Sequence, residues 1–358
     1  MNAHTGGAAA ILFAKLWFMA SGYALYIGLG RLMEPAEFGL FGVLNGIVSL
    51  LNMLAIHGTL QAVSRFVAAH PAARAAIRRN AFLLQALFTA ALLGAVLAAA
   101  GPIAWFLNDP ALARLLRLST AITGFYAFYA INVGYLNGRR AFVRQAALDV
   151  TFATLKVAAI LLLVHRGFGL EGVVAGFAAA AALVFLVSLA MVGRPEGGAP
   201  LPIPRRELAT FAGAALLVVL LQNAFLHLDL LLVKRFAGVT VSADEVGLYA
   251  AAQSVARVPY YAMMTASLVV FPLIAMTSVG TAEAAARRAD TASGAFGMCL
   301  AWLAGIVCIA VPHADRLVLV LYPAGYAGAG GFLAWLIPAL AGFALVHLGT
   351  SMLNASGR

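Results

Sequence analysis

Runs of about 20 apolar residues, broken by short polar interruptions, set the rhythm of the chain. A helix rises about 1.5 Å per residue, so each run is long enough to cross a bilayer. The pattern predicts ten spanning helices, near 8–30, 39–62, 81–106, 118–136, 147–164, 170–192, 209–232, 246–276, 291–312 and 327–352. One connection differs from the rest. Gly193 to Glu207 reads GRPEGGAPLPIPRRE, and its prolines and glycines exclude a helix.

One stretch is used twice. Arg31 to Asn45 reads RLMEPAEFGLFGVLN, and Arg235 to Gln253 reads RFAGVTVSADEVGLYAAAQ. Arg31/Arg235, Glu37/Glu245, Gly39-Leu40-Phe41/Gly247-Leu248-Tyr249 and Asn45/Gln253 correspond, with an offset of 208 at the glycines. Tyr135-Leu136-Asn137-Gly138-Arg139 is echoed between Met352 and Arg358, with an offset of 217. The repeat predicts an all-α, polytopic protein of two pseudo-symmetric lobes. These are a six-helix lobe over 1–192, a linker over 193–208 and a four-helix lobe over 209–358. By the same repeat, the second lobe lacks its last two helices, so the sequence is expected to be truncated.

Composition settles the class. Hydrophobic residues make up 63% and charged residues 10%, with a mean hydropathy of +0.96. A soluble domain carries about 25% charged residues, so this chain cannot cover itself for water. The first residues lack the basic segment and cleavage site of a signal peptide. The net charge of +10 reads as topology. With the N-terminus inside, thirteen cations, including Arg78, Arg139, Arg140 and Arg144, fall on inner connections and seven on outer ones. The positive-inside rule selects that orientation, with attraction to anionic membrane lipids as a further consequence. Nucleic acid is not an expected partner. Cys299 and Cys308 lie nine residues apart on one apolar helix, about 13 Å of rise, beyond disulfide reach.

Ionisable groups inside spans cost about 3 kcal/mol or more and face a cavity or a partner. Lys15 either holds an anionic head group or snorkels to the inner surface. Arg257 lies about three turns into its helix, and Pro259 removes a backbone donor beside it, so a broken helix is expected there. Gln253, Arg257 and Tyr260 correspond to Asn45, Ser49 and Asn52 by the 208 offset. Both triplets have i, i+4, i+7 spacing and make one polar stripe each. They either line a central cavity between the lobes or serve as interhelical hydrogen-bond glue. Asp149 lies two turns from Lys156 on the same face, too far for a direct i, i+4 pair, so Lys156 is a cavity cation or pairs with another group. Asp229 is a local partner for Lys234 and Arg235, or a proton- or ion-coupling residue. His57, His227 and His347 are separate singles. Metal-ligand spacing, a phosphate-binding glycine loop and a hydrolase nucleophile motif are all missing. The sequence therefore calls for no catalytic residue and no cofactor.

With these residues in view, LGRLMEPAEFGLFGVLNGIVSLL, HGTLQAVSRFVA and LDLLLVKRFAG…VGLYAAAQSVARVP resemble the Wzx-like polysaccharide exporters. These are flippases of the multidrug/oligosaccharidyl-lipid/polysaccharide (MOP) superfamily, and the resemblance runs from about residue 10 to 358. It implies twelve to fourteen helices in two lobes around a cationic cavity. It implies movement of polyprenyl-diphosphate-linked oligosaccharides by alternating access, for surface polysaccharide or lipopolysaccharide biosynthesis. The implied location is a bacterial inner membrane, with a glycan polymerase or glycosyltransferases as possible partners. It points to Arg257 and Lys15 for the diphosphate, and matches Asp229 to Val233 and Gly247 to Tyr249 by position.

Two other readings compete. A cation-coupled multidrug exporter of the same superfamily would favour acidic cavity residues, whereas here Lys15, Lys156 and Arg257 face few acids. A membrane-embedded glycan polymerase or ligase carries a large outer loop, and no outer connection here exceeds about 15 residues.

Overall fold

The protein is seen in a computed structural model that describes the backbone of residues 3–193, 223–276 and 282–355; side chains are described for 6–7, 9–193, 223–263 and 293–350. The predicted linker and most of the predicted 209–232 span lie outside the described residues. Six helices open the chain: α1 (Ala3–Leu32), α2 (Pro35–Ala69), α3 (Arg74–Phe106), α4 (Ala111–Gly138), α5 (Phe142–Leu163) and α6 (Gly169–Val192). A short α7 (Leu228–Arg235) and a long α8 (Ala243–Met276) follow, then α9 (Ala282–Ala310), α10 (Ala314–Leu321) and α11 (Ala329–Ala355). Among the described residues the only non-helical pairing is an isolated bridge between Ala237 and Val241. Six segments are long and apolar enough to cross a membrane, one of them holding both α5 and α6. The fold is that of an all-α polytopic membrane protein.

Contacts divide the chain into two compact units, Met1–Val246 and Gly247–Arg358. In the first, α4 is central, packing on α2, α3 and α6, while α5 packs on α1 and α6. Two glycines make the α2–α4 seam. A Cβ on Gly134 would lie 2.7 Å from the Leu60 carbonyl oxygen, and one on Gly138 would lie 2.6 Å from that of Ser64. Their i, i+4 spacing puts both on one face, so the two backbones meet directly. Lipid tails are as apolar as leucine, and close approach of this kind is a main source of helix association in membranes. Around the seam lie Val63, Val67, Tyr135 and Leu136, with Phe152 and Val184 in the same core.

Polar groups fasten the helix ends of this unit. Arg78, counted in sequence as a surface cation, is buried at the start of α3. It donates to Asn132 Oδ1 at 3.1 Å and to the Gly193 carbonyl at 3.2 Å, at the end of α6. Asn132 then donates to Ser188 Oγ at 2.8 Å. At the opposite end, the Glu37 carboxylate accepts from the Leu170 backbone N–H in the first turn of α6. The α5–α6 turn bends through Gly167 at φ +87° and Gly169 at φ +50°. A side chain at Gly169 would lie 2.8 Å from Glu37 Oε1.

The second unit is joined by rings and hydroxyls. Tyr249 of α8 meets Phe332 of α11 edge-on at 5.7 Å. Ser254 and Tyr322 share a hydrogen bond of 2.7 Å, and Tyr322 packs on Tyr326. Cys299 is buried on α9 and Cys308 is exposed there.

Two sequence expectations change. First, α8 is not broken at Pro259 but continues from Ala243 to Met276. Proline removes one backbone bond, and in spanning helices neighbouring groups satisfy what it frees. Second, the predicted 209–232 helix is interrupted at Leu226 and His227, after which α7 begins. No glycine or proline marks that turn, so the apolar pattern runs straight through it.

Candidate functional site

In the first unit the polar stripe of α2 begins with a bond to α1. Asn45 Nδ2 donates to the Tyr26 hydroxyl at 2.8 Å, and Tyr26 packs edge-on against Phe38 and Phe41. That amide therefore ties α1 to α2. Ser49 is half-buried. Asn52 is buried, and its Oδ1 has no hydrogen-bond partner among the described residues. A buried orphan acceptor costs about 1–3 kcal/mol, and a donor from a ligand or water would relieve it.

Lys15 is exposed on α1, and its charge acts on both His57 of α2 and Asp149 of α5. Asp149 Oδ1 accepts from the Tyr129 hydroxyl at 3.2 Å. Lys15, His57, Asp149 and Tyr129 thus form one polar neighbourhood drawn from four helices. The sequence treated His57 and Asp149 separately and passed over Tyr129, because nothing in the spacing joins helices so far apart in the chain.

Lys156 has aromatic rings around it and no ion pair among the described residues. Its Nζ lies among three rings, 5.0 Å from the centroid of Phe18, 5.3 Å from Phe177 and 5.8 Å from Phe152. No carboxylate pairs with it among the described residues. The faces of aromatic rings carry negative charge and attract a cation, more strongly when it is desolvated. The three rings come from α1, α5 and α6, so the ammonium also holds those helices together.

In the second unit Gln253, Arg257 and Tyr260 are all buried on α8. The charge of Arg257 acts on Tyr260, whose ring stacks on Phe343 at 5.4 Å and meets His347 edge-on at 5.8 Å. This stripe is the most buried charge-bearing surface of the unit's described helices.

Asp229 lies in the first turn of α7, but Lys234 finds its carboxylate elsewhere. Lys234 Nζ donates to Asp109 Oδ2 at 2.7 Å, with only 8% of the lysine side chain exposed. Asn108 donates to the Arg235 carbonyl at 3.0 Å, and the Arg235 guanidinium lies 5.3 Å over Phe106. The geometry begins with the end of α3, where Asn108 sits at φ +54°. The bonds Asn108 N to Trp105 O and Asp109 N to Ala104 O make a Schellman turn. That turn aims both side chains at the end of α7. An Asn-Asp pair after an apolar helix was the available sequence signal, without an indication of its partner.

No cluster of three or more His, Cys, Asp or Glu side chains that could hold a metal exists among the described residues.

Comparisons with known proteins agree with the architecture. A family model described as "Polysaccharide biosynthesis protein" matches residues 29–326. No curated protein sequence matches. Among solved structures, the chain is similar to the lipid II flippase MurJ in an inward closed conformation. The TM-score is 0.74 at 12% identity, over 97% of this chain and 76% of that one. An inward-facing multidrug resistance MATE family transporter of the MOP superfamily gives a TM-score of 0.71 at 14% identity, over 96% and 84%. A MOP superfamily transporter from Pyrococcus furiosus Vc1 gives 0.61 at 16%, over 97% and 84%.

Proposed function

The chain belongs to the polysaccharide biosynthesis protein family, and from that premise we propose that it is a flippase for a polyprenyl-diphosphate-linked oligosaccharide. In this reading it works by alternating access in a bacterial inner membrane, with its N-terminus in the cytoplasm. The observation that carries the reading is the family match over 29–326, which takes in the cation-bearing helices α2 to α8 of a fold shared with MOP transporters.

A diphosphate cannot enter hydrocarbon without replacement of its water, so cations must meet it. Arg257 and the exposed Lys15 are assigned to the diphosphate. Asn45, Ser49, Asn52, Gln253 and Tyr260 supply amides and hydroxyls suited to sugar hydroxyls, with the orphan Asn52 Oδ1 the best placed to accept one. Lys156, enclosed by rings, is assigned to holding the helices rather than to cargo. Asp229 stays a candidate for ion coupling. A glycan polymerase or glycosyltransferases would supply and consume the cargo.

The test is a deletion strain. Its extracted lipids should accumulate a polyprenyl-diphosphate glycan on the cytoplasmic side, with loss of surface polysaccharide. Unchanged lipids together with raised sensitivity to cationic drugs would replace this reading with a cation-coupled drug exporter.

A further inference from the structure

A cavity of about 430 Å³ opens at the α4–α5 turn, on the inner side in the orientation chosen by the positive-inside rule. It is lined by Arg139, Arg140, Arg144, Phe142 and Val143, and closed on one side by Gly7 of α1. We propose that this cavity binds the phosphate-bearing head of an anionic membrane lipid.

Three observations converge on that ligand. The first is unneutralised charge: three arginines occur within six residues, and none pairs with a carboxylate among the described residues. Arg139 lies 5.8 Å over the Tyr135 ring, and Arg144 makes one long contact, 3.4 Å, to the Met191 carbonyl. Like charges gathered in a cleft repel one another, and an anion relieves that repulsion. Guanidinium groups are suited to it because their planar forks hold phosphate oxygens in pairs.

The second is how the turn holds those arginines. Arg140 N bonds to Asn137 O, and Ala141 N bonds to Leu136 O, so α4 ends in a Schellman turn with Arg140 at φ +58°. Glycine is the unstrained residue for that position. With arginine there instead, the turn sets a cation beside Arg139 at the mouth of the cavity. The first turn of the 22-residue α5 begins at the same place, adding the positive end of its dipole.

The third separates a lipid from a free phosphate. Phe142 and Val143 share the wall with the arginines, and Val143 is 63% exposed. A cationic pocket with an open apolar flank at the end of a spanning helix fits a head group whose acyl or prenyl chains continue into the bilayer. Gly7 lets α1 approach the Phe142 ring closely, since a Cβ there would lie 3.2 Å from it.

The site does not depend on the flippase reading, because either a bulk anionic phospholipid or a polyprenyl diphosphate has the required chemistry. The experiment titrates purified full-length protein in detergent with cardiolipin, phosphatidylglycerol, undecaprenyl diphosphate and inorganic pyrophosphate, read by native mass spectrometry. The protein is compared with R139Q/R140Q/R144Q, with the charge-keeping R139K/R140K/R144K, and with Arg79→Gln as a control outside the cavity. Tighter lipid binding than pyrophosphate binding is expected, with a loss of about tenfold or more in the Gln triple variant, about 1.4 kcal/mol. The Lys triple variant should keep part of the affinity, and Arg79→Gln all of it. A preference for undecaprenyl diphosphate would assign the pocket to cargo capture, and a preference for cardiolipin or phosphatidylglycerol to a resident lipid. Equal binding by wild type and a folded Gln triple variant, or binding of pyrophosphate as tight as that of every lipid, would overturn the proposal.

Discussion

The two copies of the repeated stretch enter their helices in different ways. In the first copy Pro35 starts α2 and Glu37 reaches sideways to the α6 backbone at Leu170. In the second copy Glu245 turns back on its own helix: Ser242 N donates to Glu245 Oε2 at 2.7 Å, and Glu245 N to Ser242 Oγ at 3.1 Å. That reciprocal pair is a capping box. Residues that correspond in sequence therefore do different work, one joining two helices and the other closing one. Glycines also differ in what surrounds them, within each unit as well as between them: a Cβ on Gly330 of α11 would collide with Asp315, and one on Gly94 or Gly101 of α3 would meet nothing within 4 Å. Gly134 and Gly138 bring α4 against α2, whereas a Cβ on Gly342 or Gly349 of α11 would meet nothing within 4 Å. The repeat is one of residue types, while the partners that those residues meet differ between the copies.

The sharpest test of that difference compares glycines. Gly138→Leu forces side-chain atoms into the Ser64 carbonyl and should destabilise the protein by about 3 kcal/mol or more, whereas Gly342→Leu, exposed on α11, should change stability by less than about 0.5 kcal/mol. Thermal unfolding of the purified variants in detergent measures both, and equal losses would remove the distinction between the seams.

Next comes the link, within the first unit, between the end of α3 and α7. Asp109→Asn leaves the buried Lys234 without its carboxylate and should cost about 2 kcal/mol. Pairing it with Lys234→Met should recover part of the loss, because no charge is then left buried without a partner. A double variant as unstable as the sum of the two singles would mean that the pair does not act as a unit.

The two glutamates give smaller effects. Glu37→Gln should cost about 1 kcal/mol, because a neutral amide is a weaker acceptor for the Leu170 N–H at a helix N-terminus. Glu245→Gln should be smaller still, since that residue is exposed.

Glu245 adds a pH signature. Its hydrogen bonds with the backbone and side chain of Ser242 hold the carboxyl below its ordinary value of 4.5. A depressed value means that its contribution is present above 4.5 and fades as pH falls through the lower folded-state value. Glu245→Gln should therefore flatten stability in that acidic window alone. A difference that persists unchanged across the whole acid range would contradict the capping assignment.

How much of this was legible follows from distance along the chain. The membrane class and the first six helices rest on composition and on spacings within single helices, as does the burial of Gln253, Arg257 and Tyr260 along one face of α8. Ser242 and Glu245 also lie within one turn. Asp109 with Lys234, Glu37 with Leu170, and Arg78 with Asn132 and Gly193 are separated by 54 to 133 residues. Their pairing depends on which helix lies beside which, and one sequence does not contain that. Lys156 shows the limit most clearly. Periodicity puts it on the face of Asp149, and the three phenyl rings around it come from other turns and helices, which periodicity does not report. The unbroken α8 is a similar case, since Pro259 removes one bond and packing decides whether the helix continues.

In the proposed function this chain carries a diphosphate-linked glycan and Arg257 meets its charge. The most direct measurement reconstitutes the purified protein in liposomes with a fluorescent polyprenyl-diphosphate oligosaccharide and follows its movement between leaflets. Wild type should speed the exchange well above empty liposomes, and Arg257→Ala, inserted and folded, should return it to that background. Exchange at the wild-type rate in Arg257→Ala would remove Arg257 from the site, and wild-type protein that moves no labelled lipid would contradict the account.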